Sequence, residues 1–396
     1  MFKLSRFSDR YIDLSLLVIS IFGIIMIGSA SVDASGDWFP AIKNMAKQMF
    51  FVGSGYFLML AARKIFSTKK IGLHLINTSY YLILVLMLAC LAFPAINGAK
   101  AWLHLGITTL QPSEFAKILC IVLLAFYFNE VPQALRVSNN LSSAQKVLMR
   151  QKLFKKGFCE PLGRCLILFF ICFILQNDLG TAIIIFVICM VCFFSANHSY
   201  YKLFQKQLWA VMLGGIAAVG VGLPIVMNFL HDYQKARITS WLDPLNPEYV
   251  LNQSYQLVNG MIAFTNGGLV GLGLGNSTQK FGYIPEAYND FITAIICEEL
   301  GMLGLALIVV PFTVIIVRLF KYAFKMEDGY SKVILIGIAT YFFMHLFLNL
   351  GGVSGLIPMT GVPLLCISAG GSSTWACFIS IGIAQGLIQK YNKAHK

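Results

Sequence analysis

Charged residues are scarce in this chain of 396 residues, where Asp, Glu, Lys and Arg together make up only 12%. Soluble globular domains carry roughly 25% charged residues. Hydrophobic residues reach 58% and the mean hydropathy is +0.74, which excludes an ordinary soluble enzyme. Several apolar runs approach the length of about 20 residues that crosses a bilayer, so the sequence predicts a membrane protein.

Negative charge is the scarcer sign, because 17 Asp and Glu residues stand against 30 Lys and Arg residues, a net charge of +13. A strongly basic balance is also typical of nucleic-acid-binding proteins. Here the basic residues fall in short clusters between apolar runs, which indicates membrane topology. We therefore expect membrane lipids, and no nucleic acid, as partners.

Several common site motifs are missing. Residues 266–280, NGGLVGLGLGNSTQK, contain five glycines but neither G-x-G-x-x-G spacing after a strand nor a Walker G-K-[ST], which excludes a Rossmann or P-loop site. The C-x-x-C of Cys189 and Cys192 lies in an apolar run without a partner pair or His, so we expect no metal or redox role for it. The first apolar run lacks a small-residue cleavage site, so we expect a retained helix.

The apolar runs predict an all-α polytopic membrane protein with ten transmembrane helices, formed by one membrane-embedded domain over residues 1–396. The predicted spans are Leu14–Ser31, Ala46–Ala62, Leu75–Phe93, Ser113–Phe128, Cys165–Leu175, Gly180–Ala196, Leu208–Leu230, Phe291–Val317, Val333–Leu350 and Pro363–Ile388.

Basic residues concentrate at both ends of the chain and on alternate connections, above all in the basic loop of residues 129–164. The positive-inside rule therefore predicts that both termini and this loop are cytoplasmic. A large extracellular loop, residues 231–290, connects spans 7 and 8. Because long connections are usually functional, we expect this loop to form short helices packed against the bundle.

Glu114 and Lys117 open the fourth span in the stretch LQPSEFAKI. Their i,i+3 spacing places them on one helix face, and pairing removes much of the cost of a lone ion in lipid. The pair is either structural or part of a substrate cavity. Asp178 precedes Gly180 at the start of the sixth span, where it either caps that helix or contributes to a site.

The glycines of residues 266–280 let backbone N–H groups approach an anion closely, with Lys280 beside them. Diphosphate binding and close helix packing are both compatible with this pattern. Asp290 lies in the last polar turn before the eighth span, where it is suited either to cap the helix or to act as a general base. Glu298 and Glu299 follow within that span, and we expect one of them to pair with a cation such as Lys117 or Arg237.

Four blocks of the sequence together resemble the SEDS family of bacterial shape, elongation, division and sporulation proteins. They are NGAKAWLHLG…LQPSEFAK, QNDLGTA, YQLVNGMIAFTNGGLVGLGLGNSTQKFGYIPEAYNDFI…EELG and GLIPMTGVPLLCISAGGSS, in family order along nearly the whole chain. The last block is rich in Gly and Pro with almost no charge, and we expect it to form a re-entrant loop. The GNSTQK…YIPEA segment is more similar to the division branch than to the elongation branch.

The resemblance implies a peptidoglycan glycosyltransferase that polymerises lipid II into glycan strands beside a class B penicillin-binding protein and other division proteins. It places the family's catalytic aspartate at Asp290 and its Glu and Lys at Glu114 and Lys117. Two positions depart from the family pattern: Tyr288-Asn289 stands where His-Thr is usual, and Ala369 where Tyr is usual. The implied location is the bacterial cytoplasmic membrane, at the division septum.

The expected chemistry is attack of a sugar hydroxyl on a lipid-linked sugar, with Asp290 as general base. Lys117, Arg237, Lys280 or a divalent Mg or Mn ion bound with the diphosphate is expected to stabilise the leaving group. The sequence offers no dedicated metal cage. A lipid II flippase, an elongation-type polymerase and a non-catalytic scaffold are the alternative functions.

Overall fold

A computed structural model describes residues 7–32, 37–68, 71–96, 98–106, 108–136, 143–198, 200–212, 232–247, 254–285 and 287–395. Helices dominate these residues. They are α1 Arg10–Ala30, α2 Phe39–Thr68, α3 Leu73–Ala89, α4 Pro112–Arg136, α5 Ser143–Phe154, α6 Glu160–Phe170, α7 Leu179–Ser195, α8 at residues 200–212, α9 Asp232–Leu242, α10 Tyr255–Gly267, α11 Ile292–Lys325, α12 Gly329–Val353 and α13 Gly371–Ala394.

The predicted fold class is confirmed: the chain is an α-helical, multi-pass membrane protein. Eight helical segments of the described residues are long and apolar enough to cross a bilayer, and the shorter α7 is also apolar. Most of the predicted seventh span, Leu208–Leu230, lies outside the described residues, so the count of ten stays a prediction. The positions of the termini relative to the membrane also stay predictions.

The region predicted as a basic loop, residues 129–164, is largely helical. The helix α4 continues to Arg136, and α5 runs into α6 through a π-helical turn at Lys155–Cys159. Residues such as Ala, Gln, Lys and Leu in α5 have good helix propensity, and this local preference accounts for the difference. Within the described residues of the predicted extracellular loop, α9 and α10 are short helices.

A short antiparallel hairpin precedes α4, with Leu103–His104 paired to Thr109–Leu110. Its end is tied to α13, because the backbone N–H of Gln111 donates to the Ser372 hydroxyl at 2.8 Å. The hairpin therefore fixes the start of α4 against the start of α13, and α4 carries Glu114 and Lys117.

The connection between α12 and α13 is the predicted re-entrant segment; it is non-helical, and its second half is largely buried. Leu364, Leu365, Cys366 and Ile367 are fully buried. Side chains satisfy its backbone: the Ser368 hydroxyl accepts from the N–H of Leu364 at 2.8 Å. Irregular backbone is tolerated within a membrane only when its polar groups are satisfied in this way.

The helix α11 is interrupted at Gly301, whose φ of 61° and ψ of −152° are not helical. Beside this break lies the glycine-rich segment of residues 266–280. Its N–H groups at Leu272 and Gly273 donate to the carbonyl oxygens of Glu298 and Glu299, both at 2.9 Å. The glycines therefore serve close backbone packing, because a side chain at Gly271 would overlap the backbone of Glu299.

Candidate functional site

A cavity of about 390 Å³ opens where several helix ends meet. Its walls come from α2, the hairpin, the first turns of α4 and α7, the residues before α11, and the re-entrant segment. Three carboxylates line it, Glu114, Asp178 and Asp290, together with two lysines, Lys47 and Lys117. The structure thus brings together four residues that the sequence singled out at positions far apart in the chain.

Asp290 lies in the turn that leads into α11, and it is half-buried at the cavity wall. The N-cap position of α11 is the next residue, Phe291. A hydrogen bond of 3.0 Å from the amide of Asn349 on α12 to the backbone carbonyl of Asp290 holds this turn. Asn349 also accepts a short hydrogen bond from Thr293, so the carboxylate is presented by a turn anchored to two helices.

The two departures from the family pattern meet each other in the structure. The backbone N–H of Ala369 donates to the carbonyl oxygen of Tyr288 at 3.0 Å. Tyr288, Asn289 and Ala369 all line the cavity. The substituted positions therefore lie at the site itself, where Ala369 presents only a methyl group beside the turn that carries Asp290.

Glu114 and Lys117 form a buried ion pair of 2.8 Å, and each side chain is 1% exposed. Lys117 also lies 3.1 Å from Nε2 of His345, whose Nδ1 is 2.9 Å from the carbonyl oxygen of Pro363. Because a carbonyl can only accept, Nδ1 carries the imidazole proton and Nε2 accepts from Lys117. Lys117 is therefore held in one orientation by α4, α12 and the re-entrant segment.

The second carboxylate oxygen of Glu114, Oε2, is buried without a hydrogen-bond partner among the described residues. Leaving a buried acceptor unsatisfied is costly, about 1–3 kcal/mol or more for a charged group. Glu114 lines the cavity, and its Oε2 lies 4.0 Å from Nε2 of His345.

Asp178 caps α7, which is one of the two roles that its sequence position left open, and it also lies at the cavity wall. One carboxylate oxygen accepts from the N–H of Thr181 at 3.0 Å and caps α7. The other accepts from the amide of Gln111 at 2.9 Å, and Asp178 also lines the cavity. The residue therefore links the first turn of α7 to the start of α4 at the cavity wall.

Glu298, Glu299 and Lys280 lie away from the cavity, in the packing of residues 266–280 against α11. Glu299 pairs with Lys280 at 2.9 Å, so one of these carboxylates does pair with a cation, although that cation is neither Lys117 nor Arg237. Glu298 accepts from Thr278 at 2.9 Å and from the hydroxyl of Ser277. The reason is the break at Gly301, which brings the loop onto these side chains.

Arg237 lies in α9, but its side chain is outside the described part of the chain. Lys47 is a cavity residue that the sequence reasoning missed. The sequence could have identified Lys47, because it lies at the start of the second predicted span, at the end that faces away from the cytoplasmic basic clusters. His345 is a hydrogen-bonded interior residue, because both of its ring nitrogens have contacts and its side chain is buried.

Comparison with known proteins identifies relatives over the whole chain. Residues 10–393 match a family model described as "Cell cycle protein", FtsW/RodA/SpoVE. "Probable peptidoglycan glycosyltransferase FtsW" of Bacillus subtilis (strain 168) is 32% identical, over 100% of this chain and 94% of that protein. "Stage V sporulation protein E" of the same strain is 33% identical, over 93% of each chain.

Solved structures share the fold. A chain from "Structural coordination of polymerization and crosslinking by a peptidoglycan synthase complex" superposes with a TM-score of 0.70 at 22% identity, covering 99% of this chain and 100% of that chain. The RodA protein of Thermus thermophilus gives a TM-score of 0.59 at 20% identity, covering 96% of each. The match over residues 10–393 and the full-length relatives above 30% identity confirm the resemblance seen in the sequence, and this chain belongs to the FtsW/RodA/SpoVE family of cell cycle proteins, on its FtsW-like side.

Proposed function

We propose that this chain polymerises lipid II into glycan strands at the outer face of the cytoplasmic membrane, with Asp290 as the general base. The observation that carries the proposal is the shared cavity, in which the carboxylate of Asp290 and the Glu114–Lys117 pair face the same space. The enzyme class is supported by the full-length relatives that bear the name peptidoglycan glycosyltransferase.

Lipid II combines an undecaprenyl tail, a diphosphate and a disaccharide-pentapeptide, so its head group reacts at the membrane surface while its tail stays in lipid. Asp290 takes the proton from the GlcNAc 4-hydroxyl of one lipid-linked chain. That oxygen bonds to MurNAc C1 of the other chain, and the bond from C1 to undecaprenyl diphosphate breaks. Diphosphate is a good leaving group, so the second carboxylic acid of a glycosidase is not required.

Negative charge grows on the departing diphosphate and needs cations placed beforehand. Lys117 and Lys47 are the two described lysines on the cavity wall. Lys280 is engaged with Glu299 instead and does not line the cavity. Lys117 is the stronger candidate, because its contacts to Glu114 and His345 fix its position before substrate arrives.

A divalent Mg or Mn ion is part of the proposal as a companion of the substrate diphosphate. Carboxylate oxygens suit both ions, and Glu114, Asp178 and Asp290 supply them at the cavity. Among the described residues these carboxylates do not converge within metal-ligand distance as a group of three. Most of the ligands would therefore come from the diphosphate, and the ion would supply charge stabilisation when bound.

A class B penicillin-binding protein, which would cross-link the new strands, is the proposed principal partner, with other division proteins beside it. The structural relative described as a peptidoglycan synthase complex with polymerisation and crosslinking supports this pairing. The proposed location within the membrane is the division septum, on the similarity to FtsW. Depletion is expected to give filamentous cells, whereas loss of rod shape would indicate an elongation-type polymerase.

Asp290→Asn tests the central role. The variant keeps the size and hydrogen-bonding shape of the side chain, so folding and membrane insertion are expected to be retained. Polymerisation of purified lipid II is expected to fall by about 10²–10⁴-fold, the range for a lost general base. Asp243→Asn is the matched control, because Asp243 follows α9 in the same connection and does not line the cavity.

Full-length polymer from purified Asp290→Asn protein would refute the general-base role. Reconstitution in vesicles separates the other functions. Transbilayer movement of lipid II without glycan strands would identify a flippase. A chain whose Asp290→Asn variant still supports division would be a scaffold.

A further inference from the structure

Three cysteines from three different helices turn their sulfur atoms toward one another. Cys120 of α4, Cys165 of α6 and Cys189 of α7 have all three sulfurs within 4.8 Å of one another. They are at most 6% exposed. Cys90 shows the usual alternative for a helical thiol, since its sulfur donates to the carbonyl of Leu86 one turn back at 3.3 Å.

The cluster lies about halfway along the apolar helical segments that carry it. Cys120 is eight residues into α4 from Pro112, and Cys189 is ten residues into α7 from Leu179. At about 1.5 Å per residue, these positions are about 12–15 Å below the cavity-side ends of their helices. That is half of a hydrocarbon layer about 30 Å thick. Lys117 lies one helical turn nearer the cavity than Cys120.

Three convergent sulfurs are a ligand set for a single thiophilic ion. The depth of the cluster restricts which ion fits, because net charge in a low-dielectric interior is costly. Three thiolates with Cu(I) carry a charge of −2, and with Zn(II) a charge of −1. Only a trivalent centre makes the complex neutral. Zn(II) moreover prefers four ligands.

We propose that Cys120, Cys165 and Cys189 form a binding site for a trivalent metalloid, with arsenic(III) as the representative ligand. Arsenous acid is uncharged near neutral pH, so it reaches a mid-membrane site without carrying charge there. Each of its three hydroxyl groups leaves as water with one thiol proton, while one As–S bond replaces each As–O bond. The oxidation state does not change, and both reactants and product are neutral.

The proposed site uses only one of the two cysteines of the C-x-x-C pattern. Cys189 meets Cys120 and Cys165, whereas Cys192, one turn further along α7, lies beside Gly337 of α12. Bound arsenic would tie α4, α6 and α7 together directly beneath Lys117. The site is independent of the proposed polymerase activity, because none of its three residues lines the cavity.

The test uses the full chain, purified in detergent with a thiol-free reductant and incubated with arsenite. After desalting, elemental analysis is expected to show one arsenic per protein, and X-ray absorption is expected to show three sulfur neighbours. Among the described residues this is the one group of three such ligand side chains, so a three-sulfur signal identifies it. Arsenic with one or two sulfur neighbours, or none retained, would overturn the proposal.

Cys189→Ala and Cys192→Ala form a matched pair, since both thiols are buried on α7 three residues apart. Loss of an outer-shell partner already weakens metal sites about 10–100-fold, so loss of one of three sulfurs is expected to weaken arsenic binding at least that much. Cys192→Ala is expected to bind like the wild type. Equal weakening in both variants would count against the cluster, as would retention of Cu(I) or Zn(II) but not arsenic. If Cys189→Ala does not fold, the number of sulfur neighbours in the X-ray absorption spectrum of the wild-type protein tests the proposal by itself.

Discussion

Two buried lysine–carboxylate pairs occur in the described part of this chain, and they differ in what surrounds them. Lys117–Glu114 spans 2.8 Å and Lys280–Glu299 spans 2.9 Å, and all four side chains are at most 1% exposed. The first pair lines the cavity beside Asp290. The second lies where the glycine-rich segment packs against the break in α11.

The comparison shows that a buried charge in a membrane protein does not by itself mark the reacting site. Both lysines have two hydrogen-bond partners in the protein, and Lys280 donates to the carbonyl of Gly275 at 2.7 Å as well as to Glu299. Both oxygens of Glu299 accept from Ser29. Oε2 of Glu114 instead makes no hydrogen bond among the described residues and lies 4.0 Å from Nε2 of His345, and Glu114 lines the cavity. Remaining hydrogen-bonding capacity next to open space distinguishes the two pairs.

Removing each lysine in turn is expected to separate the two pairs most clearly. Lys117→Met is expected to lower lipid II polymerisation per folded molecule by about 10²–10³-fold, the cost of losing one charge-stabilising donor. Lys280→Met is expected to stay near the wild-type rate, because Lys280 does not reach the cavity. Polymerisation assays normalised to monodisperse protein measure both, and equal losses would remove the distinction.

Lys280→Met is expected to act on stability instead. Removing one partner of a buried pair leaves an uncompensated charge and costs about 3–5 kcal/mol. The double variant Lys280→Met/Glu299→Gln is expected to recover much of that loss, since the orphaned charge is gone. Unfolding in detergent micelles measures the difference. If the double variant is no more stable than the single one, charge pairing is not the reason for the loss.

The environment of Lys280–Glu299 also depends on the close packing of the glycine-rich segment against α11. Gly271→Ala is expected to destabilise by about 1–3 kcal/mol, because φ is +84° and the new methyl group would overlap the backbone of Glu299. Gly275→Ala is the matched control, with φ of +86° but open space around the added methyl group. It adds only the backbone strain, so its loss of melting temperature is expected to be smaller. The reverse order would contradict the role given to this contact.

The smallest expected loss of stability concerns Asp178, which lines the cavity and caps α7. Asp178→Ala is expected to lose about 0.5–2 kcal/mol, the usual cost of a lost N-cap. Asp178→Asn retains an oxygen for the N–H of Thr181 and is expected to keep most of that stability. Polymerisation by Asp178→Asn then reports the contribution of the negative charge alone. A stability equal to that of the alanine variant would refute the capping role.

Local pattern predicted the elements of the site well, because those elements depend on neighbours along the chain. The i,i+3 spacing of Glu114 and Lys117 on a helix is sufficient to predict their pair. The polar turn before α11 likewise placed Asp290 at a helix start. The Gly- and Pro-rich stretch between α12 and α13 predicted a non-helical connection, which the structure confirms.

Long-range partners could not be predicted in the same way. The partner of Glu299 is 19 residues away at Lys280, and the choice depends on the backbone break at Gly301. His345 reaches Lys117 across 228 positions in the chain. The sulfur of Cys189 clusters with those of cysteines on α4 and α6, and the other cysteine of its C-x-x-C pattern is not part of that cluster. In each case several partners were chemically equivalent in the sequence.

The sequence alone determined that this protein crosses the membrane repeatedly and carries the motifs of its family, because apolar run length and local spacing are properties of neighbouring residues. Which of its buried charges line the cavity and which are enclosed elsewhere became visible in the folded chain alone. Desolvation and hydrogen-bond satisfaction depend on what packs around a group in three dimensions, and helices distant in sequence supply those groups here.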